Sequence, residues 1–505
     1  MLRRSLASFP LLFVTLAVAP VAAEPAGPSW PLDTPVTEQP TFGSRREVIV
    51  RPPPPPGTVA PALISQIIYL NRCTGGCMVN TGADDDASST VPTSGIIEAN
   101  TTFSEFKSAA GVAGAAADAE WNALMQCMRE IYSPYDVQVT DVRPPQGSQY
   151  HMAIVAGTPQ EAGRDANTLG VAIVRSDCTP RNNAVSLNFA NAHGPNDRTN
   201  ALCHTVGQES AHAFGLDHSY AFSDGRSSCN DPMTYRSDCG GQRFYRNDSA
   251  TCGEFEARPC NCGNTTQNSH AKILSTFGAN PGTPLIRPPT AAVTTPAAGG
   301  TLGAIVAAQA GSKRGIAKVE LLLNGFEWAE VKGGAFGQNG QPNPGAYSLP
   351  VPAGVPGGVI DVVVRAYDDL GASTDSAAVT VSKGPPCTSA ESCATGQKCE
   401  AGKCFWDPPS GEVGDDCTYP QFCKTLNCQG TAEQKICTKN CVPGTSDSCP
   451  EGLACTMTGP GSGICFLEPE EAGCCSVGGK DDGAPWVHGG VAALLLGLLL
   501  RRRSR

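Results

Sequence analysis

A short stretch of the sequence, residues 204–219, reads HTVGQESAHAFGLDHS and spaces side chains that can gather around one metal ion. Residues four apart on a helix stand on the same face, so Gln208 and His212 can approach a single atom. Glu209 is placed to touch a water molecule at that atom. Gly215 lets the chain leave the helix in a left-handed conformation, which turns His218 back toward the same point. The spacing predicts a metal site made by Gln208, His212 and His218, with a carboxylate beside it.

Zinc prefers nitrogen and sulfur donors, so the amide oxygen of Gln208 is a weaker ligand than an imidazole. Glutamine is neutral, as histidine is when it binds a metal, and the charge of the site is therefore unchanged. We expect Gln208 to lower zinc affinity rather than to alter the chemistry. His204 lies roughly 12 Å before His212 along the helix and cannot share a tetrahedral ion with it, so we predict a surface or supporting role for His204.

His151, His193 and His270 lie outside this motif and are expected to be solvated or hydrogen-bonded. His193 comes just before the helix and is the one that the site could recruit.

The motif continues downstream with CNDPMTY, which places Met233 two residues before Tyr235. The whole set resembles the metzincin zinc proteases, whose helix carries H-E-x-x-H-x-x-G-x-x-H and is followed by a methionine turn. Gln208 stands where the family has its first histidine. The matching residues are Glu209, His212, Gly215, His218, Met233 and Tyr235. The resemblance covers less than half of the chain.

The resemblance implies a role for each matched side chain. His212 and His218 would bind zinc, and Glu209 would be the general base that takes a proton from water. Met233 would form an apolar base beneath the ligands, and Tyr235 would bind the metal or donate a hydrogen bond to the developing oxyanion. A protein or peptide substrate would lie extended along an edge strand, the one near GVAIV.

The elements that must position these residues lie in residues 61–280. Apolar alternation predicts five strands, at LISQIIYL, VQVTDV, YHMAIV, GVAIV and AVSLNF. One helix has an apolar stripe formed by Trp121, Leu124, Met125, Met128 and Ile131. A second helix carries the metal motif, and a third, NSHAKILSTF, begins after Asn268 and ends at Gly278. The order predicts a metzincin-like α/β domain with a five-stranded sheet and three helices.

Two further domains follow. Residues 287–384 contain short strands between glycines and prolines, which predicts an all-β, immunoglobulin-like sandwich. Asp368 and Asp369 are read there as solvated turn residues without a role. Residues 387–466 contain 12 cysteines and no histidine. This composition predicts a small module with up to six disulfides, rather than a zinc cluster.

The two ends of the chain indicate export. Residues 1–23 read as a secretory signal peptide, and 24 cysteines are typical of an oxidising compartment. Residues 24–60 are predicted to be a Pro-rich linker or a short pro-segment. Residues 472–505 contain a Cys pair, an apolar run and an arginine cluster, which resembles the myxobacterial C-terminal sorting signal, with cleavage near Cys474. A plain transmembrane tail anchor is the alternative.

The formal net charge of −11 gives nucleic acid no electrostatic reason to bind. We therefore expect a bacterial protein at the cell surface, in the outer membrane or outside the cell, acting as a zinc-dependent endopeptidase. The alternative is a surface adhesin or binding protein on a degenerate protease fold that no longer cuts. A cysteine hydrolase is the third option, with Cys203 beside His204 as its candidate pair. The sequence makes no prediction about oligomeric state.

Overall fold

The computed structural model describes residues 45–53, 64–223, 228–236, 241–333, 345–407, 409–430, 434–443, 448–459 and 462–467. The predicted signal peptide and C-terminal segment lie outside these ranges, as does most of the Pro-rich segment. The chain divides into two compact units between Asp407 and Pro408. Within the described ranges, no helix is long and apolar enough to cross a membrane.

The first domain contains three α-helices and twelve described strands. The strands are β1 (Arg45–Arg51), β2 (Ile67–Asn71), β3 (Cys77–Thr81), β4 (Thr93–Ser94), β5 (Thr101–Phe103), β6 (Gln138–Thr140), β7 (His151–Val155), β8 (Thr168–Arg175), β9 (Val185–Asn188), β10 (Ser219–Phe222), β11 (Ser249–Cys252) and β12 (Thr266–Asn268). The helices are α1 (Ala115–Tyr132), α2 (Arg198–His212) and α3 (Ser269–Phe277). Short 3-10 turns occupy Pro159–Ala162, Ala190–Ala192 and Ser228–Asn230.

The main sheet has six strands, in the order β1-β8-β9-β7-β2-β6. The five predicted strands are all present as β2, β6, β7, β8 and β9. The sixth, β1, comes from the segment predicted as a linker, whose residues Glu47 to Val50 read EVIV and suit a strand. β8 and β9 are antiparallel, whereas β1 pairs with β8 in parallel. The expectation that the GVAIV strand lies at the edge is therefore wrong, because β1 covers that edge.

Two hydrophobic clusters lie on opposite faces of this sheet, because successive strand residues point to opposite sides. Ile68 and Leu70 enter one cluster and Tyr69 enters the other. The first cluster contains all five residues of the predicted α1 stripe, together with Leu202 and Val206 of α2. The second is covered by the small sheet β4-β3-β5, through Val79 and Phe103. The α2 helix is thus fixed between the sheet and α1.

Disulfides reinforce the first domain. The described pairs are Cys73–Cys77, Cys127–Cys203, Cys178–Cys262 and Cys252–Cys260. Cys127–Cys203 joins α1 to α2, so Cys203 offers no thiolate and the cysteine hydrolase option is wrong. Cys229 is also disulfide-bonded.

The second domain is a β-sandwich of two described sheets, β13-β14-β17 and β16-β15-β18-β19, with β20 paired to β18. This confirms the predicted immunoglobulin-like or fibronectin-like β fold. Apolar residues alternate inward along β18, among them Ile360, Val362 and Val364. Its strands are β13 (Thr290–Thr295), β14 (Ile305–Gly311), β15 (Lys318–Leu323), β16 (Phe326–Lys332), β17 (Gly345–Pro350), β18 (Gly358–Tyr367), β19 (Ser373–Asp375) and β20 (Val379–Lys383).

A buried ion network joins the sandwich to the first domain. Arg314 of the sandwich forms an ion pair with Asp369 at 2.7 Å and donates to the carbonyl oxygen of Tyr245 at 3.0 Å. Arg246 of the first domain pairs with the same carboxylate at 3.4 Å. The interpretation of Asp369 as a solvated turn residue is therefore wrong, since its side chain is buried between two arginines. Asp368 does form the turn, accepting from the backbone N–H of Leu370 and Ala372.

The cysteine-rich segment forms six disulfides, as predicted. They are Cys387–Cys399, Cys393–Cys404, Cys417–Cys428, Cys423–Cys437, Cys441–Cys455 and Cys449–Cys465. The first two belong to the hairpin of β21 (Gln397–Glu400) and β22 (Lys403–Trp406), inside the larger compact unit. The smaller unit contains β23 (Cys428–Gly430), β24 (Lys435–Cys437), β25 (Asn440–Cys441), β26 (Leu453–Gly459) and β27 (Ser462–Leu467). Short 3-10 turns occupy Ala390–Ser392 and Pro420–Phe422. The unit boundary thus falls inside the predicted module.

Candidate metal centre

The α2 helix places Gln208, Glu209 and His212 in the interior, and all three side chains are fully buried. Two contacts with α1 fix the rotation of the helix. One is the Cys127–Cys203 disulfide, and the other is a 2.7 Å hydrogen bond between the hydroxyls of Tyr132 and Ser210. The polar face of α2 therefore points into the protein rather than toward solvent.

His212 and His218 face each other with their Nε2 atoms 3.1 Å apart. Each ring has its other nitrogen engaged by an acceptor, so each Nδ1 carries hydrogen. His212 Nδ1 donates to the carbonyl oxygen of Leu216 at 2.7 Å, and His218 Nδ1 donates to Glu254 at 2.8 Å. Two Nε2 lone pairs at this distance need a cation between them, either a proton on one ring or a metal ion on both.

Gly215 produces the turn that brings these two rings together. Its φ is +86°, the left-handed conformation that the sequence predicts. Its N–H donates to the carbonyl oxygen of His212 at 3.0 Å. A Cβ atom at this position would lie 2.0 Å from the carbonyl oxygen of Cys178, so a side chain does not fit.

A charged cluster behind His218 fixes its ring. Glu254 accepts from His218 Nδ1 and also pairs with Arg258 at 2.6 Å. Arg258 in turn pairs with the buried Asp217 at 2.7 Å. Burial raises the pKa of Glu254, but the hydrogen bonds from His218 and Arg258 outweigh it and the net shift of the pKa is downward. The carboxylate therefore stays ionised and favours hydrogen on Nδ1, which leaves Nε2 available as a ligand.

Gln208 is anchored to the methionine turn. Its amide Nε2 donates to the carbonyl oxygen of Thr234 at 2.9 Å. Its Oε1 atom is buried and has no hydrogen-bond partner among the described residues. Thr234 lies between Met233 and Tyr235, so the predicted first ligand and the predicted turn are in direct contact.

Asp231 is buried and stabilises the turn that contains Met233 through hydrogen bonds. Its carboxylate accepts from the backbone N–H of Met233 at 2.8 Å and of Arg246 at 2.9 Å. Met233 is fully buried, and its carbonyl oxygen accepts from the N–H of Ser219, the residue after His218. The turn is thus joined to the third predicted ligand as well as to the first.

The carboxylate of Glu209 is the most unusual group of the site. Both of its oxygens are buried, and neither has a hydrogen-bond partner in the described part of the chain. Burial raises the pKa of Glu209 well above its ordinary value. The side chain lies against β8, where a Cβ atom at Gly170 would come within 2.6 Å of Glu209 Cγ. An ionised carboxylate without hydrogen bonds is costly to bury, so this environment favours either the protonated acid or a cation beside the carboxylate.

Tyr235 completes the site on the side of His218. Its ring centroid lies 5.0 Å from that of His218, and Phe255 packs against its other side at 5.3 Å. Phe255 is 55% exposed, whereas Tyr235 is 6% exposed. The aromatic pair therefore runs from the His218 ring to the surface.

The other four histidines that the structure describes do not join His212 and His218. His204 is buried rather than exposed, and Arg243 donates to its Nε2 at 2.8 Å. His193 interacts with Phe189 O and Thr205 Oγ1, each at 3.1 Å. His151 is buried against Phe214, and His270 contacts the Tyr135 hydroxyl at 2.9 Å.

The geometry fits a zinc ion. Two nitrogen ligands of a tetrahedral zinc stand about 3.3 Å apart, since each Zn–N bond is about 2.0–2.1 Å, close to the separation of the two Nε2 atoms. Two residues close to these histidines in sequence have buried side-chain oxygens without a hydrogen-bond partner among the described residues. They are Gln208, at Oε1, and Glu209, at both carboxylate oxygens. Two imidazoles and one amide oxygen would fill three of the four tetrahedral positions of a zinc ion and would leave the fourth to water, as in catalytic zinc sites.

The supporting residues could not be identified from the motif. Glu254 lies 36 residues after His218, and Asp217 precedes His218 but pairs with a residue 41 positions away. Gly170 is similarly remote in sequence from Glu209. A signal was present in DPMTY, since an aspartate before a turn commonly accepts from backbone N–H groups two residues on.

Comparisons with known proteins do not assign a family. No protein-family profile and no curated protein matches the chain. The fibronectin(III)-like modules of CbhA from Clostridium thermocellum are 24% identical over 19% of this chain and 46% of that chain, with a TM-score of 0.14. Wild-type OgpA from Akkermansia muciniphila is 9% identical over 46% of this chain and 65% of that chain, with a TM-score of 0.13.

Catalytically inactive OgpA in complex with an O-glycopeptide substrate is 8% identical over 51% of this chain and 68% of that chain, with a TM-score of 0.12. The chain spans less than half the length of the CbhA modules and just under two thirds of wild-type OgpA. Similarities at these TM-scores carry no argument about activity.

Proposed function

We propose that the protein is an exported, zinc-dependent endopeptidase whose metal is bound by His212, His218 and the amide oxygen of Gln208. The observation that carries the proposal is the pair of Nε2 atoms facing each other at 3.1 Å, each with its Nδ1 fixed by an acceptor. The partnerless carboxylate of Glu209 in the same interior supports a hydrolytic role. The disulfides support an extracellular location.

Each residue then has a chemical task. When bound, zinc supplies a Lewis acid that polarises a carbonyl and acidifies water. Glu209, whose pKa is raised by burial, takes a proton from the attacking water and passes it to the amine that leaves. The phenol of Tyr235 donates a hydrogen bond to the oxygen that becomes negative. Glu254 keeps His218 in the tautomer that offers Nε2.

Zinc binding and peptide cleavage should be measured separately on the purified, oxidised full chain. Cleavage of an unstructured protein is to be followed both on the intact chain and after residues 1–53 have been cut away, because β1 covers the edge of β8. Glu209→Gln should keep zinc and abolish cleavage, since it removes the proton acceptor and no ligand. His212→Ala should lose both, and His270→Gln, remote from the site, should change neither.

A different pattern favours the alternative function. If the wild-type chain binds no zinc at micromolar free metal and Gln208→His restores both zinc and cleavage, the protein is a lapsed protease that acts by binding. The feature that favours this alternative is Gln208 itself, because an amide oxygen is a weaker zinc ligand than an imidazole.

A further inference from the structure

The edge of β8 beside Glu209 is occupied by the chain itself. β1 pairs with β8 in parallel along its whole length, from Arg46 opposite Gly170 to Arg51 opposite Arg175. Gly170 is the residue against which the Glu209 side chain lies. The backbone of β1 therefore passes at the level of the predicted general base, where an extended peptide would pair with β8.

Arg46 extends from β1 into the site. Its side chain is 3% exposed, and its Nε donates to Thr205 Oγ1 at 3.1 Å, one helical turn before Glu209. Its charge interacts favourably with Glu209 and Tyr235. Burial lowers the pKa of Arg46 to about 10, so the side chain is a cation at neutral pH. Its NH1 atom has no hydrogen-bond partner in the described ranges.

The remainder of β1 is fixed at two further points. Glu47 accepts from Thr168 Oγ1 at 3.0 Å and pairs with Arg164 at 3.4 Å. Arg51 donates to the carbonyl oxygens of Ala83 and Gly95, at 2.6 Å and 2.9 Å. These contacts specify the register of the segment on β8.

β1 nevertheless contributes little to the hydrophobic core. Its member in the second hydrophobic cluster is Ile49, which is partly buried, and Val50 is 47% exposed. The sequence before Cys73 contains no cysteine, so a disulfide does not tie the segment down. Loss of a peripheral strand of this kind leaves the buried clusters on both faces of the sheet in place.

We propose that the edge of β8 is a peptide-binding edge, that residues 45–51 occupy it in cis, and that Arg46 fills a pocket beside Glu209, so that the folded chain blocks its own site. The proposal rests on the proposed function, because it takes Glu209 as the centre of the site. The occupant is an extended peptide recognised by main-chain pairing and by one arginine side chain.

The test uses the full chain with the recognition sequence of a site-specific endopeptidase inserted within residues 54–63. After cleavage and removal of the N-terminal fragment, a fluorescent peptide of sequence RREVIVR should bind in a saturable manner, and peptide cleavage should rise at least tenfold over the uncut chain. The same peptide with alanine in place of Arg46 should bind roughly 10-fold or more weakly, since it loses the buried hydrogen bond from the charged guanidinium to Thr205 Oγ1.

A matched peptide with alanine in place of Arg51 controls for main-chain pairing. It loses two contacts remote from Glu209, so its binding should weaken less than that of the Arg46 peptide. Equal loss for both peptides, absence of peptide binding, or the same measurable rate of cleavage by the cut and uncut chains would overturn the proposal. Peptide binding without any cleavage at saturating zinc would sustain this inference and refute the proposed function instead.

Discussion

Glu254 offers a demanding test of the site, because it touches neither the substrate nor the metal in our proposal. It accepts from His218 Nδ1 at 2.8 Å, and its pKa is lowered, so this is a hydrogen bond to an ionised acceptor. Hydrogen bonds to charged groups contribute about 1.5–3 kcal/mol, against about 0.5–1.5 kcal/mol for neutral pairs. The difference, about 1 kcal/mol, corresponds to roughly fivefold in zinc affinity.

We therefore expect Glu254→Gln to weaken zinc binding about fivefold, because the amide oxygen still accepts from Nδ1 without the charge. Glu254→Ala removes the acceptor and should weaken zinc binding roughly 10- to 100-fold, as other losses of ligand support do. The assay is a competition titration against a chelator of known affinity at fixed pH. Glu256→Gln, at an exposed position two residues later, is the matched control and should change nothing.

Two results of the zinc titrations would contradict this role of Glu254. If Glu254→Ala binds zinc as tightly as the wild-type chain while His218→Ala does not bind it, His218 needs no carboxylate to orient its ring. If neither Glu254→Ala nor His218→Ala alters zinc affinity, the metal is not bound at this site at all. Unfolding midpoints of each variant must accompany the titrations, since Glu254 also pairs with Arg258.

Three further outcomes are expected. Gly215→Ala should lower the free energy of unfolding by more than about 3 kcal/mol, measured with denaturant, because the added Cβ would collide with Cys178. The matched control is Gly163→Ala, at φ +68° with open space around its Cβ, which should lower it by only about 1 kcal/mol. Burial raises the pKa of Asp369, but Arg314 and Arg246 outweigh burial and lower the pKa to about 2, so the ionised carboxylate stabilises the fold by about 2 kcal/mol. This stabilisation is present above pH 3.8 and is lost as the pH falls through 2. Acid-induced unfolding of Asp369→Asn should lack this component, and an acid-unfolding profile equal to that of the wild-type chain would contradict the expectation. Mild reduction should unfold residues 409–467 and leave the cysteine-free sandwich protected in hydrogen exchange; loss of protection in both would refute the assignment of separate stabilising forces.

Most of the helices and strands of the first domain can be predicted from the periodicity of apolar residues and from the residues that form turns. The α1 stripe is buried as its 3.6-residue spacing predicts, and Gly215 has the positive φ that the turn requires. Both are local properties, decided by residues within one or two turns of each other. The strand at Arg45–Arg51 was not predicted, because prolines on its C-terminal side dominate the composition of the segment and its partner lies more than 100 residues away.

The site was predictable to the extent that its residues are close in sequence. His212, Gly215 and His218 fall within seven residues, and the end of α2 together with the turn at Gly215 brings the two imidazoles together. Arg46 approaches Thr205 across 159 residues, a contact that depends on the whole sheet order. Asp369 was read as a turn residue because its two arginine partners come from different parts of the chain, one of them in another domain.

The ion network between the first domain and the sandwich has a consequence for how the protein can be divided. Arg246 contacts the sandwich through Asp369 and through the carbonyl oxygen of Arg314, while its backbone N–H is bound by Asp231, the residue that shapes the methionine turn. A truncation near residue 280 would remove Arg314 and Asp369, would leave the buried cation Arg246 without its carboxylate partner, and would loosen the segment that carries Met233. The sandwich is thus not an interchangeable module. Any domain that replaces it, during evolution or in a chimera, must itself supply the equivalents of Arg314 and Asp369.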